Sequence, residues 1–422
     1  MGKGAFATRY DVIPRSVMPS RVIPAAVDRM SLEMALAAAV RGDLGDPARR
    51  FIPIPNSSVA APIHSIHILG SREFGGADQF FVRLVRALHA AGQPVTAITR
   101  PGSPVAVALK DDPAEQIHLP LANRWDAWSA WRIRRRILER QPCVVQTYMG
   151  RATRLTRVPA KSKAVHIARL GGFYKIDGYY RHADAWVGNT RAICDFLVKS
   201  GMPAKRVHHI GNFVPEPVRA TPAEVAALRL QHRVPEDAWV LFALGRLIPK
   251  KGFHDLFRAI ARLPEEINGR PLVLLLAGDG PELGNLQTLA KDLGIEARVR
   301  LLGWQDPPDR FYSLADVFVC PSRHEPLGNV ILEAWNHFLP VVSTRSDGAL
   351  ELIEEGGTGL LCDCKDDEGM AAAIRAVLES PAAARETMAK AGNACLHAKY
   401  GQARIVEQYL ALYRDMLMEK CG

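Results

Sequence analysis

No apolar run in the chain approaches the roughly 20 residues that a helix needs to cross a bilayer. The longest, such as LVLLLA at 272–277, have the length of a strand, so no membrane span is expected. The seven cysteines are odd in number and scattered, without a C-x-x-C pair or Cys/His ligand spacing. That excludes a disulfide framework and a zinc module and fits a reducing cytoplasm. Cys362-Asp363-Cys364 reads as a packed loop at a strand end rather than a metal site. Asp-x-Asp does not occur, so a carboxylate clamp for a divalent ion has no obvious ligands, and neither a metal nor a cofactor is expected. No G-x-G-x-x-G follows the first strand of either half, which disfavours a hydride-transferring oxidoreductase. The amino end lacks the continuous apolar core of a secretory signal, and Asp11, Asp28, Glu33, Asp43 and Asp46 argue against a transit peptide.

What the chain does have is enough apolar residue, 48% over 422 positions, for two ordinary domains. Its net charge of +10 is unevenly placed. Residues 61–220 carry net +13 and residues 221–422 net −6. A basic first half beside an acidic second half suggests that the first meets an anionic surface or acceptor. Nucleic acid is not the expected partner, because no nucleic-acid-binding module or repeated aromatic stacking pattern accompanies the basic residues. Membrane phosphate is the better guess.

Residues 1–60, rich in Pro and Arg with one short helical pattern, read as an N-terminal extension. From Pro62 the pattern changes to IHSIHILG, a glycine turn SREFGG, a helical stretch ADQFFVRLVRALHAAG and a second strand PVTAITR. Strand, loop, helix and strand in that order form a βαβ unit, which demands a parallel sheet. CVVQTY, AVHIARL and AWVGN continue it. After the proline-bearing NFVPEPVRATPAEV, the runs VLFALG, LVLLLAG, VRLLGW, VFVCPS, PVVST and GLLC alternate with helical patterns. The fold class is therefore α/β, two Rossmann-like doubly wound parallel-sheet domains facing a central cleft. The expected boundaries are 61–215, 216–400 and a C-terminal helix over 401–422.

The chemistry-bearing residues cluster in two segments of the second half. GRLIPKKGF follows its first strand, so Arg246 sits at the strand's carboxyl end and Lys251 five residues on, both able to face the cleft. Fixed cations in a partly dry cleft suit a departing diphosphate, whose charge grows in the transition state. In SRHEPLGNVILEAW a helix is predicted to open near Pro326 and Leu327. The backbone N–H groups of Leu327, Gly328 and Asn329 would then form an anion site at its amino end. Glu325 just before it reaches sugar hydroxyls, and Glu333 inside it reaches a ribose; carboxylates accept strongly from hydroxyl groups. In the first domain, Gly75 and Gly76 let backbone approach the phosphate or the transferred sugar. AGDGP at 277–281 reads as a tight turn. Trp304 either flanks a base or caps the core. The stretch NRWDAWSAWRIRRRILERQP puts Trp125, Trp128 and Trp131 with Arg132, Arg134, Arg135 and Arg136 on one helix. Such a helix can lie on a membrane. The preferred reading is a covering helix whose tryptophans bury against the sheet.

GRL…KKG, AGDGP and SRHEPLGNVILEA, in this order, make residues 62–420 resemble the large retaining glycosyltransferase family of the GT-B fold, glycosyl transferases group 1. That family contains many bacterial cell-envelope and lipid sugar transferases, and Glu325 and Glu333 match its glutamate, seven residues, glutamate signature. The resemblance implies that Arg246 and Lys251 bind the diphosphate, Glu325 the donor sugar and Glu333 the ribose. The loop at Gly75 and Gly76 would lie across the cleft, and transfer would retain anomeric configuration without metal. The family commonly has Gly and Phe where Pro326 and Leu327 stand, so one backbone donor is missing here. It also often carries a histidine at a first-domain strand end. In AVHIARLGGFYK, His166 lies within the strand and Arg169 nearer the loop, leaving these two as candidates on the acceptor side, with His166 better explained as a core residue.

The expectation is a retaining, metal-independent glycosyltransferase that moves a hexose-type unit from a nucleotide-diphosphate sugar to an anionic lipid or glycan acceptor. An envelope glycolipid or lipopolysaccharide precursor at the inner face of the cytoplasmic membrane, with peripheral membrane contact, is the acceptor expected. The rivals are a nucleotide-sugar epimerase or hydrolase on the same fold, which would turn over donor alone, and a non-catalytic nucleotide-sugar-binding subunit.

Overall fold

The computed structural model describes residues 61–422; the extension read over 1–60 lies outside them. Strands β1 (His64–Leu69), β2 (Val95–Thr99), β3 (Glu115–His118), β4 (Cys143–Tyr148), β5 (Ala164–Leu170), β6 (Ala185–Gly188) and β7 (Val207–His209) form a parallel sheet in the order β3-β2-β1-β4-β5-β6-β7. A second sheet contains β8 (Trp239–Leu244), β9 (Glu266–Ile267), β10 (Arg270–Ala277), β11 (Val299–Gly303), β12 (Val317–Cys320), β13 (Val341–Thr344) and β14 (Leu360–Cys362). Its parallel path is β11-β10-β8-β12-β13-β14, with β9 antiparallel on β10. Helices cover both faces, so every residue of β4 and β5 is buried, the polar Gln146, Thr147, His166 and Arg169 among them, and neither strand alternates apolar with exposed polar positions. β3 (EQIH) and β7 (VHH) are half-buried edge strands whose short polar sequences carry no such signal.

The helix Gly76–Ala90 buries Phe80, Phe81, Leu84, Val85 and Leu88, an apolar stripe at helical spacing laid on the first sheet. The final helix, Gln402–Cys421, returns to that sheet instead of staying with the second. Ile405, Tyr409, Leu412, Tyr413 and Met416 join the same core as Phe80 and Phe213. Tyr413 also donates to Gln146 across 2.6 Å. At about 1.5–3 kcal/mol for each fully buried large apolar side chain, this contact is a substantial part of the first domain's stability.

The helix Ala127–Arg140 overturns one expectation. Its buried positions are Ser129, Ile133 and Ile137, spaced four apart, while Trp128 and Trp131 lie away from that stripe and are 54% and 53% exposed; Trp125 precedes the helix, whose N-cap is Asp126, and is 67% exposed. The tryptophans do not bury against the sheet, because the isoleucines already take the inward stripe. Each indole instead lies near a guanidinium, Arg124 and Arg154 at Trp125, Arg132 at Trp128 and Arg135 at Trp131. Among the described residues, no helix is long and apolar enough to cross a membrane.

Candidate active site

In each sheet the strand order reverses beside the first strand. β1 lies between β2 and β4, and β8 between β10 and β12. Loops leaving the carboxyl ends of neighbouring strands diverge there and open a crevice. GRLIPKKG leaves β8 and SRHEPLG leaves β12, so the topology brings these distant segments together.

The turn Pro249–Lys251 ends at Gly252, whose φ of +69° is left-handed. A Cβ there would lie 1.9 Å from the Pro321 carbonyl oxygen, so only glycine fits. Arg323 and His324 donate their N–H groups to the Lys250 carbonyl at 2.9 and 3.3 Å, and Arg323 pairs bidentately with Asp255 at 2.7 Å on each arm. This close joining places the Lys251 ammonium on Glu325 Oε2, which also accepts from Ser322 Oγ at 3.4 Å. The pair is mostly shielded, with side chains 18% and 15% exposed. Burial opposes the Lys251 charge, but the charge and hydrogen bond of Glu325 outweigh it and hold the ammonium above its usual range.

Arg246 differs from Lys251. It pairs at 2.9 Å with Glu73 of the β1 loop, across the cleft, and both side chains are largely exposed. Such a pair contributes little to stability, so an arriving diphosphate can displace the carboxylate. Glu333 is bound on both oxygens: Arg83 of the first domain donates to Oε1 at 3.0 Å and Tyr312 to Oε2 at 3.2 Å.

The helix expected to open near Pro326 and Leu327 begins at Asn329 instead, because Gly328 takes a left-handed φ of +90° as its N-cap. Leu327 is buried in the loop, its carbonyl 2.2 Å from where a Cβ on Gly348 would sit. Of the three expected N–H donors, only that of Asn329 belongs to the helix's first turn. The Asn329 amide faces the other candidate loop: a Cβ on Gly76 would meet its Nδ2 at 3.2 Å, and its Oδ1 accepts from Asn212 at 2.8 Å. Gly75 caps the helix that follows, its N–H donating to the buried Asp78 carboxylate at 2.9 Å. The structure thus brings Gly76 and Asn329 together and Lys251 and Glu325 together, at the cleft.

Arg169 is 2% exposed and has neutral partners. It contacts Asn212 and Tyr409, with the Phe80 ring 3.9 Å from its guanidinium carbon. Asn212 links it to the cleft, its amide donating to Asn329 at 2.8 Å. His166 lies inside β5, bonded to Thr147 at 2.9 Å and close to the His182 ring. Burial, then the charges of His182 and Arg157, push it down to about 3, so it is a neutral core residue at pH 7. Trp304 follows β11 and is half exposed.

Sequence reasoning missed Glu73, Arg83, Tyr312 and Asn212. Only Asn212, a polar residue in the glycine-bearing turn GNF, carried a local signal, and only a weak one.

Comparison with known proteins shows the family. The description "Glycosyl transferases group 1" matches residues 225–394, and "Glycosyltransferase Family 4" matches 74–216. Among curated proteins, the lipopolysaccharide core biosynthesis glycosyltransferases LpsE and LpsD of Rhizobium meliloti are 36% and 35% identical; each alignment covers 80% of this chain and 95% of the relative. Among solved structures, HepE of Anabaena in complex with UDP and glucose superposes with a TM-score of 0.72 at 19% identity, covering 84% of this chain and all of HepE. WaaG, a glycosyltransferase involved in lipopolysaccharide biosynthesis, superposes at 0.62 with 18% identity over 83% and 99%. The chain belongs to the glycosyl transferases group 1 family and is a glycosyltransferase of the GT-B fold.

Proposed function

We propose that the chain transfers a hexose-type sugar from a nucleotide-diphosphate donor to a lipopolysaccharide-core acceptor, with retention and without a metal. The observation that carries this is the apposition of Lys251 and Glu325 at the second sheet's switch point, with Arg246 at the open edge of the same loop. Arg246 exchanges Glu73 for the diphosphate, and Lys251 adds a shielded positive charge. Both act more strongly on the leaving group's developing charge than on the bound ground state, the condition for faster chemistry. Glu325 keeps Oε1 free of hydrogen bonds to the described residues for a sugar hydroxyl. In the retaining mode the departing phosphate oxygen and the incoming hydroxyl share one face, so the phosphate takes the proton and no protein nucleophile is assigned. Glu333 reaches the ribose after shedding Arg83.

The two Rhizobium meliloti relatives supply the acceptor class, and UDP, held by HepE, is the first donor nucleotide to test. The exposed Trp125, Trp128 and Trp131 among arginines support peripheral contact with anionic lipid at the inner face of the cytoplasmic membrane. The test is a panel of nucleotide sugars screened by thermal stabilisation, followed by transfer to core-truncated lipopolysaccharide. Removing Arg246 or Lys251 should lower kcat by about 100- to 1,000-fold. Parental transfer rates in Arg246→Ala and Glu325→Ala refute the site. Absence of flotation with phosphatidylglycerol vesicles refutes the membrane contact.

A further inference from the structure

Three arginines leave the carboxyl ends of the strands at the first sheet's switch point: Arg72 after β1, Arg100 after β2 and Arg151 after β4. Arg100 donates to the Leu121 carbonyl at 2.6 Å; Arg151 donates to the same oxygen at 3.3 Å and to Gly70 at 3.1 Å. Two guanidinium nitrogens on one oxygen are at most about 6 Å apart, the sum of those two contacts. Leu121 presents that carbonyl from a left-handed φ of +43°, unusual for a branched residue. Among the described residues, none of the three arginines forms an ion pair. The Asp126 carboxylate acts on Arg100 through its charge but forms no ion pair with it, and it caps its own helix, accepting from Ser129 N, Ser129 Oγ and Ala122 N at 3.0, 2.7 and 2.9 Å. Burial, then the charges of Arg72 and Arg151, lowers the proton affinity of Arg100; burial and Arg72 do the same to Arg151. Arg100 and Arg151, held on one oxygen with the charge of the exposed Arg72 beside them, gain when an anion arrives. Arg72 adjoins Glu73, which crosses the cleft to Arg246, so the cluster belongs to the acceptor wall facing the donor loops.

We propose that Arg72, Arg100 and Arg151 form an anion subsite that takes an acidic group, phosphate or carboxylate, carried by the acceptor saccharide. This rests on the acceptor-side reading of the first domain given above. The planar forks of Arg100 and Arg151 suit the paired oxygens of either group.

The first arm uses inorganic phosphate on the whole chain. UDP, or GDP where UDP gives no stabilisation, is held at saturation to fill the diphosphate position. Calorimetry at low ionic strength is expected to show a phosphate site that weakens at least tenfold in the double variant Arg100→Gln/Arg151→Gln. Nucleotide affinity is expected to stay within twofold of the parent, which also reports correct folding. Arg151→Lys, which keeps the charge, is expected to retain most of the phosphate affinity. The second arm uses core-truncated lipopolysaccharide as isolated, after phosphate removal and after carboxyl reduction. The double variant should raise the acceptor KM at least tenfold on the intact acceptor with kcat within threefold. Parent and variant should converge on the acceptor stripped of the group that is recognised, which distinguishes phosphate from carboxylate. Equal phosphate binding by parent and double variant, or equal KM on the intact acceptor, overturns the subsite. Phosphate binding as expected in a chain that binds no nucleotide sugar refutes the donor reading and leaves the subsite standing.

Discussion

Gly252 and Gly269 have nearly the same left-handed backbone, φ +69° and +72°, but different surroundings, and alanine at each separates backbone strain from steric approach. Around Gly269, in the turn between β9 and β10, a Cβ would meet nothing within 4 Å. Gly269→Ala should therefore cost only the left-handed penalty, about 1–2 kcal/mol. At Gly252 the Cβ would lie 1.9 Å from the Pro321 oxygen and 2.9 Å from its carbon, so one loop has to retreat by about 1 Å or more to restore ordinary contact. The Lys250 carbonyl ties the two loops, so that retreat pulls Lys251 off Glu325. Adding about 1–3 kcal/mol for forced overpacking gives a total loss of about 2–5 kcal/mol. A misplacement of about 1 Å in positioning groups costs on the order of 100-fold in rate. Urea unfolding and kcat/KM with a nucleotide-sugar donor read the two effects. Should Gly252→Ala lose no more stability than Gly269→Ala, or keep the parental kcat/KM, the argument that this glycine sets the Lys251–Glu325 geometry fails.

Glu325→Gln should destabilise by about 2–4 kcal/mol by leaving the shielded Lys251 charge without its counter-charge. Lys251→Met/Glu325→Leu should cost less than the sum of its single changes in urea unfolding, and strict additivity would contradict the coupling. Arg83→Met frees one Glu333 oxygen and is expected to tighten UDP binding twofold or more by calorimetry, whereas Glu333→Gln weakens it; weaker binding in Arg83→Met counts against a ribose role for Glu333. His67 and His166 are each pushed down to about 3, by burial first. The unfolded chain takes up protons below about pH 6.5 while these two refuse them until about 3. Stability should therefore fall as pH drops through that window, by about 1.4 kcal/mol per histidine between pH 7.5 and 5.5. Urea midpoints of His166→Gln that keep the full parental pH slope would remove its share.

The strands were legible because helices cover both faces of each sheet, leaving runs such as LVLLLA with no polar side to show. β3 and β7, at sheet edges, had no such mark. Arg246 and Lys251 were legible as a pair, yet their different exposure depends on where Glu73 and Pro321 fall, and adjacent residues do not encode that. Glu333 read as free to reach a ribose because Arg83, which holds one of its oxygens, lies 250 positions earlier. The helix start was misplaced because Pro326 is a good first-turn residue, whereas the left-handed turn at Gly328 overrides it. The tryptophans were placed inward by their spacing of three, but Ile133 and Ile137, with Ser129, satisfy the inward stripe four apart.

The return of Gln402–Cys421 to the first sheet makes that lobe discontinuous along the chain. A single cut near residue 215 yields no self-sufficient halves: one piece would show Phe80 and Phe213 to water, the other would trail a helix with nothing to cover. The lobe's last packing partner is translated after both sheets, so its folding is tied to near-completion of synthesis, a high-contact-order arrangement. The two lobes are also joined by two chain crossings instead of one, so neither lobe can part from the other by release of a single linker.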